Sequence, residues 1–473
     1  MTVPSVEFLV FAAFAAMLFH ASKAKAWRLG VLVGANLLFL MSFSTTPTDF
    51  VPFVGFLLLG HVGMRAAQSS RSLFGFIALV VTVVAVFCWL KQYAFIPKSA
   101  FLDFPYLTIG ISYIFFRVMH LIIDARQGSL PARVGPLSYL AYTLNFTSLV
   151  SGPIQRYQDF DRTQSANDLP LDNAAVGRAL ERIVVGFFKV AVVSAALFAL
   201  HNTSVHTLSA DQPFLTRIAT GVTVATVFPL YLYFNFSGYT DFVIGVARFF
   251  SIRLPENFDR PFSSENFINF WSRWHITLSA WLRTYVYNPL LMALMSRFPA
   301  ARLQRFFGVS AFFVTFFLVG VWHGQTSEFL MFGLLQGLGV SLNKLYQIEM
   351  AEAIGRARYR NLCMAPMYRA FCRGLTFTWF SLTLFFFWSS WDQMSQFVDA
   401  LGLPTVIVLW IVTTATATIT LAAYEGARNR LLRLAWDRRP LLLHCARTAL
   451  DTCAAILILL TNVSPSDLVY KGF

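Results

Sequence analysis

Charge is what this sequence has least of. Asp, Glu, Lys and Arg supply 13% of its 473 residues, and only 23 positions are acidic. A soluble domain carries about a quarter charged residues. With 57% hydrophobic and 16% aromatic residues, the shortage excludes a water-soluble globular fold and places the chain among integral membrane proteins. Cysteine is scarce too. The five (Cys88, Cys363, Cys372, Cys445, Cys453) show neither CxxC nor metal-ligand spacing, so neither a disulfide framework nor a metal site is expected. There is no Walker loop, G-x-S-x-G elbow or H-E-x-x-H pair, and no internal repeat or low-complexity linker. No Lys or Arg precedes the first apolar run, Phe8–Phe19, whereas Lys23, Lys25 and Arg28 follow it. That order argues against a cleaved signal peptide and for a first helix whose N-terminus lies outside.

What is present is apolar length. Candidate membrane segments fall near 5–20, 27–44, 49–66, 73–92, 104–124, 136–151, 178–200, 214–235, 238–250, 306–321, 325–345, 370–389, 403–424 and 442–462. A spanning helix needs about 20 residues, so the shorter segments are expected to be re-entrant or merged, covered by protein rather than lipid. The net charge of +14 sits in short loops between these runs. It therefore reads as cytoplasmic topology and not as a nucleic-acid surface. Arg65, Arg71, Arg126 and Arg133 mark early cytoplasmic loops, and 353–373 and 425–447 mark later ones. The expected fold is an all-α polytopic membrane protein with one membrane-embedded domain, residues 1–473.

Polar groups at membrane depth are costly and usually functional. The richest stretch is Phe270-Trp-Ser-Arg-Trp-His-Ile-Thr-Leu-Ser-Ala-Trp-Leu-Arg283. Pro255-Glu-Asn-Phe-Asp-Arg-Pro261 breaks any helix before it. From Ser264 the spacing predicts a helix, with Trp271, Trp274, Leu278, Trp281 and Tyr285 on one face and Ser272, His275, Ser279 and Arg283 on another. Such a helix either lies in an interface or lines a polar cavity; the pattern alone leaves both open. His323 ends a second apolar run, in Val321-Trp-His-Gly324. A neutral imidazole near pH 7 can take a hydroxyl proton and return it, and a base screened from water can turn an alcohol on a thioester with little hydrolysis. His120 and Asp124 form an i, i+4 pair whose simplest role is to fix helix packing. Arg117, Lys189 and Asp241 are further polar groups expected to pair with neighbours or snorkel. His20, His61, His201, His206 and His444 have no supporting context.

Four blocks carry a family resemblance over about residues 104–345: Gly110-Ile-Ser-Tyr-Ile-Phe-Phe with Ile123-Asp124; Val150-Ser-Gly-Pro-Ile-Gln-Arg156; Phe236-Ser-Gly-Tyr-Thr-Asp241 with Pro255–Phe262 and Phe270–Ser279; and Gly320-Val-Trp-His-Gly324. In these the chain resembles the membrane-bound O-acyltransferases, in the bacterial branch of alginate O-acetylation and teichoic-acid D-alanyl transfer. Two positions depart from that branch: Thr284 follows Arg283 where Asp is usual, and no Gly-Gly follows the Tyr-x-x-Pro-Leu run. The resemblance implies a helical bundle with re-entrant or interfacial helices around a tunnel. It implies His323 as the catalytic histidine and His275 as a second site residue. Arg273 or Arg283 would meet donor phosphates, Trp274 and Trp322 would wall the tunnel, and Ser279 would share the polar face. No bound cofactor and no metal is expected. The donor would be a cytoplasmic acyl thioester, acetyl-CoA, and the acceptor a cell-surface or secreted polysaccharide reached through a periplasmic or extracytoplasmic acyltransferase, from a bacterial inner membrane. D-alanyl transfer to a teichoic-acid-type polymer is the alternative within the family; a transporter without covalent chemistry is the alternative outside it.

Overall fold

The computed structural model describes the chain except residues 71, 131–133, 166–170, 209–210, 433–439 and 462–473. Arg71 and Arg133 of the loop-charge pattern, and the side chain of His444, lie outside the described residues. The described chain is helical: α1 (Val6–His20), α2 (Lys25–Met41), α3 (Val51–Ser69), α4 (Leu73–Leu90), α5 (Ile111–Gln127), α6 (Pro136–Thr143), α7 (Tyr157–Ser165), α8 (Asn173–Phe188), α9 (Ala195–Thr207), α10 (Phe214–Arg248), α11 (Phe267–Trp271), α12 (Ile276–Leu282), α13 (Asn288–Arg297), α14 (Ala301–His323), α15 (Ser327–Ala353), α16 (Arg356–Met364), α17 (Pro366–Thr383), α18 (Phe385–Trp388), α19 (Trp391–Leu401), α20 (Leu403–Leu432) and α21 (Pro440–Thr461). Local chemistry sets several of these ends. Ser5 caps α1 by accepting from the Phe8 amide at 3.1 Å, Asp172 caps α8 through the Ala175 amide at 2.7 Å, and Gly128 closes α5 at a φ of +71°, where a Cβ would be strained. Among the described residues, seven helical stretches are long and apolar enough to cross a membrane.

Several segment boundaries differ from the sequence reading. The runs 214–235 and 238–250 are one 35-residue helix, α10. Gly238, which looks like a break, is instead a packing position: a Cβ there would fall 2.7 Å from the Lys189 Cβ and 2.8 Å from the Gly186 carbonyl. The segment 104–124 is helical only from Ile111.

The chain forms two compact units. One comprises residues 1–191 and 235–256; the other comprises 192–234 and 257–461. In the first, α8 and the end of α10 approach backbone to backbone through Gly186, Gly238 and Gly245, the small-residue contact that lets helices pack closely in lipid. Asp241 of α10 accepts from Arg182 Nε at 3.0 Å and from Lys189 Nζ at 2.6 Å, and Arg182 also reaches Glu256 at 2.7 Å. Lys189 and Asp241 thus pair with each other.

The same unit holds an interrupted apolar segment, the run expected at 136–151. After α6, residues 144–155 are non-helical yet wholly buried, a state tolerated only where protein satisfies the backbone. Arg117 of α5 does much of that. Its guanidinium donates to the carbonyls of Tyr142 (3.2 Å), Thr143 (2.8 Å) and Ser148 (2.8 Å), and to Ser148 Oγ (2.7 Å). The first two are C-terminal carbonyls of α6, where a cation also meets the negative end of the helix dipole. Asn36 Oδ1 accepts from the Phe146 amide at 2.8 Å, and Tyr142 Oη donates to the Gln155 carbonyl at 2.7 Å. His120 and Asp124 do fix packing: the Tyr157 amide donates to His120 Nε2 at 3.0 Å, Asp124 Oδ2 lies 3.4 Å from Nδ1, and Gln158 Nε2 donates to Asp124 at 2.7 Å.

In the second unit α14 and α15 form a tight antiparallel pair. Gly320, Gly333 and Gly337 lie on the seam: a Cβ on Gly333 would come 2.5 Å from the Phe317 carbonyl, and one on Gly337 would come 2.8 Å from the Phe313 carbonyl.

Candidate active site

The helix expected from Ser264 onward is not continuous. It stops after α11, restarts as α12, passes through a π-turn at Arg283–Tyr287 and ends as α13. The break falls at His275, whose φ of +43° is left-handed, a conformation that costs a non-glycine residue about 1 kcal/mol or more and persists only where surroundings enforce it. The enforcing contacts come from the Pro255–Pro261 block. Asn257 Oδ1 accepts from the Thr277 amide (3.2 Å) and hydroxyl (2.6 Å), and its carbonyl accepts from the Ile276 amide at 2.9 Å. An isolated antiparallel bridge joins Phe258 to Trp274, with the Asp259 amide on the Arg273 carbonyl at 3.0 Å. The proline-rich block therefore braces the turn that presents His275. The periodicity of the tryptophans runs across this break, so pattern could not reveal it; the brace is a contact between residues 20 positions apart. Asn257, in that sense, is a site residue that sequence reasoning missed.

His275 is completely buried, and burial pushes its imidazole down to about 3. It is neutral at pH 7. Trp322 neighbours both candidate histidines: its ring centroid is 6.3 Å from that of His275 and 4.7 Å from that of His323. His323, the last residue of α14, is buried and walled by Phe332 of α15 (6.0 Å) and Phe387 of α18 (5.1 Å). Its placement follows from the glycine seam just described. Gly324 belongs to the same close approach, since a Cβ there would collide with the Phe329 ring.

The structure thus brings together His275, Trp322 and His323. Trp274 lies on the turn of His275 but faces an aromatic cluster, stacked on Phe270 at 5.6 Å and against Phe380 at 4.9 Å. Ser279 is one turn into α12, and its buried hydroxyl has no hydrogen-bond partner among the described residues. Arg273 is half-buried and Arg283 is exposed in the π-turn. Among the described residues no group of three or more His, Cys, Asp or Glu side chains could hold a metal ion. Chemically, the arrangement offers two buried imidazoles that both approach one indole, with further aromatic rings around His323.

A family model for the membrane-bound O-acyltransferases matches residues 125–387, a stretch that contains both histidines. The chain is 29% identical over 284 residues to "Teichoic acid D-alanyltransferase" of Bacillus subtilis (strain 168), covering 59% of this chain and 69% of that one. It is 31% identical over 248 residues to "Probable alginate O-acetylase AlgI" of Pseudomonas aeruginosa, covering 52% and 45%. It is 32% identical over 214 residues to "Peptidoglycan O-acetyltransferase" of Helicobacter pylori, covering 44% and 38%. The chain spans less than half the length of these two acetylating relatives. The match takes in more than half of this sequence and runs through the braced turn at His275 and the α14 end at His323, so the protein belongs to the membrane-bound O-acyltransferase family.

Proposed function

We propose that this protein transfers an acyl group, acetyl, from a cytoplasmic thioester for O-acylation of a cell-surface or secreted polysaccharide. The observation that carries the reading is the placement of His323: a buried imidazole ringed by Trp322, Phe332 and Phe387, with His275 near the same tryptophan. In the reaction His323 takes the proton of the acceptor hydroxyl as its oxygen attacks the thioester carbonyl. The carbon–sulfur bond breaks, and the leaving thiolate takes that proton back from the imidazolium, so the enzyme ends unchanged. His275, neutral because it is buried, donates a hydrogen bond to the carbonyl oxygen as charge develops there. Arg273 or Arg283 meets the phosphates of acetyl-CoA or of a carrier's pantetheine arm. The aromatic wall limits competing hydrolysis.

In this reading the protein sits in a bacterial inner membrane with its N-terminus outside and hands the acyl group to a periplasmic or extracytoplasmic acyltransferase. D-alanyl transfer to a teichoic-acid-type polymer stays the second reading, favoured by the larger share of the Bacillus subtilis relative that is matched. Ester-linked acyl groups on surface glycans decide between them, measured in a deletion strain complemented with wild type or with His323→Ala at matched protein levels. Acetate restored only by wild type supports the proposal. Acetate restored equally by both overturns the role of His323, and loss of esterified D-alanine instead of acetate replaces the acyl group.

A further inference from the structure

The second unit carries a cavity that the acyl-transfer reading does not use. It has a volume of about 500 Å³ and is lined by Phe267, Tyr346, Tyr359, Tyr368, Trp379 and Trp410, among others. Its lining changes character from one end to the other. Near Gly339 of α15 it is aromatic and aliphatic. Gly339 has no side chain to hold Trp379 and Phe267 off: a Cβ there would sit 2.9 Å from the Phe267 ring. At the other end the hydroxyls of Tyr346 and Tyr368 meet at 2.9 Å, and Arg369 and Arg373 reach Glu265 at 2.7 and 2.9 Å. The cavity opens outward beside Leu342 and Phe371, which are 55% and 51% exposed.

The polar end is bounded by α16, with sequence Arg356-Ala-Arg-Tyr-Arg-Asn-Leu-Cys-Met364. Arg356, Tyr359, Arg360 and Cys363 recur at i, i+3, i+4 and i+7 and so share one face. Tyr359 and Cys363 of that face line the cavity, which sets Arg356 and Arg360 at its rim. Both arginines are exposed. The neighbouring acids are engaged elsewhere: Glu349 and Glu352 with Arg305, and Glu265 with Arg369 and Arg373. Among the described residues no acidic side chain pairs with Arg356, Arg358 or Arg360. Immediately beyond them the elbow into α17 exposes Met364 and, most of all, Met367, at 87%.

Bare cations, exposed apolar side chains and an apolar cavity open to the outside coincide on one elbow of a membrane protein. Each matches one part of a single ligand. We propose that this cavity binds an anionic phospholipid, its phosphate on Arg356 and Arg360 and one acyl chain running along α15 toward Gly339. Basic residues at a membrane surface attract anionic headgroups at roughly 1 kcal/mol each, and Met364, Met367 and Phe371 bury their surface in the adjoining acyl region. Bound lipid would then clamp α15, α16 and α17 together, and it does so independently of acyl transfer.

The test uses the full chain, stripped of lipid in a neutral detergent and titrated with dioleoylphosphatidylglycerol or dioleoylphosphatidylcholine, with bound lipid counted by native mass spectrometry. Wild type should hold one phosphatidylglycerol in preference to phosphatidylcholine. Arg356→Gln with Arg360→Gln should weaken phosphatidylglycerol about twenty-five-fold, at about fivefold per arginine, while the two Arg→Lys changes keep most of the affinity. Leu342→Trp, which fills the open side, should weaken both lipids. Lipid-free unfolding temperatures within a few degrees of wild type show that the variants fold, and the single Arg→Gln changes serve if the double one does not. Equal binding of the two lipids by wild type overturns the proposal. So does an undiminished phosphatidylglycerol affinity in the glutamine variant, or a raised KM for acetyl-CoA with lipid binding unchanged, which would make the cavity a donor entrance.

Discussion

His120, in the middle of α5, and His323, the last residue of α14, are both buried histidines of a membrane protein, and their surroundings differ. Around His120 both ring nitrogens face polar groups of the fold. A backbone amide donates to Nε2, a carboxylate faces Nδ1, and Gln158 holds that carboxylate. The bond from Tyr157 fixes Nε2 as acceptor and leaves the proton on Nδ1, toward Asp124. A ring so held orders the chain and has no capacity left for a substrate. Around His323 the walls are aromatic, and the neighbours that place it are glycines, which act by what they omit. The difference teaches how to rank buried histidines in a membrane protein. A histidine with both ring nitrogens facing polar groups of the fold is structural; one set among aromatic rings near a second histidine is a candidate for chemistry.

The sharpest way to break this comparison is to remove each ring. His323→Ala should lower acyl transfer by about 10³-fold or more while the protein remains folded in the membrane. His120→Ala should do the reverse, costing about 2–3 kcal/mol of stability with little change in turnover per folded molecule. Activity in a thioester-consumption assay, normalised to folded protein, measures both; equal activity losses would erase the distinction.

Next in size is Arg117→Met, which leaves three buried carbonyls and a hydroxyl without their donor. A loss of about 3–5 kcal/mol is expected, read as a lower unfolding temperature and greater proteolysis around residues 144–155. Wild-type stability in this variant would mean that the loop satisfies itself.

pH sharpens the contrast further. The imidazole of His275 lies below its unfolded value of about 6.5 when folded, so the unfolded chain binds the extra proton. Its contribution is fully present above pH 6.5 and is lost as pH falls toward about 3, at about 2 kcal/mol by pH 5. Unfolding temperatures from pH 7.5 to 5 should fall in wild type and fall less steeply in His275→Gln, the remaining slope coming from other buried histidines. Parallel curves would show that this ring does not govern acid stability.

The smallest effect is expected from Asp124→Asn. It preserves shape and can still accept from Gln158, and should cost about 1 kcal/mol. A loss as large as that of His120→Ala would mean that the carboxylate's charge, and not its hydrogen bonding, holds the lock.

Much of this was legible in the residues. The His120–Asp124 spacing announces one helix face, and an apolar run ending in Trp-His-Gly announces a histidine at a helix end. The family follows from four motif blocks, of which the last three lie within the matched residues 125–387 and the first precedes them. The turn at His275 was not legible, because tryptophan periodicity survives a break when the flanking helices both bury their aromatic faces. Nor was the continuity of α10 through Ser237-Gly238: a glycine inside a helix looks like a stop until the helix it packs against is known. The role of Asn257 depends on hydrogen bonds across the fold, which no local window contains.

The grip of Arg117 on the broken segment also bears on biogenesis. The ribosome makes α5 before the loop it serves, and a guanidinium does not shed its charge on entering the bilayer. An arginine at a helix centre costs about 2.5–3.5 kcal/mol during insertion, and the carbonyls that repay it emerge from the ribosome some 25 to 31 residues later. Helix and loop are therefore poor guests of the lipid singly and better ones jointly.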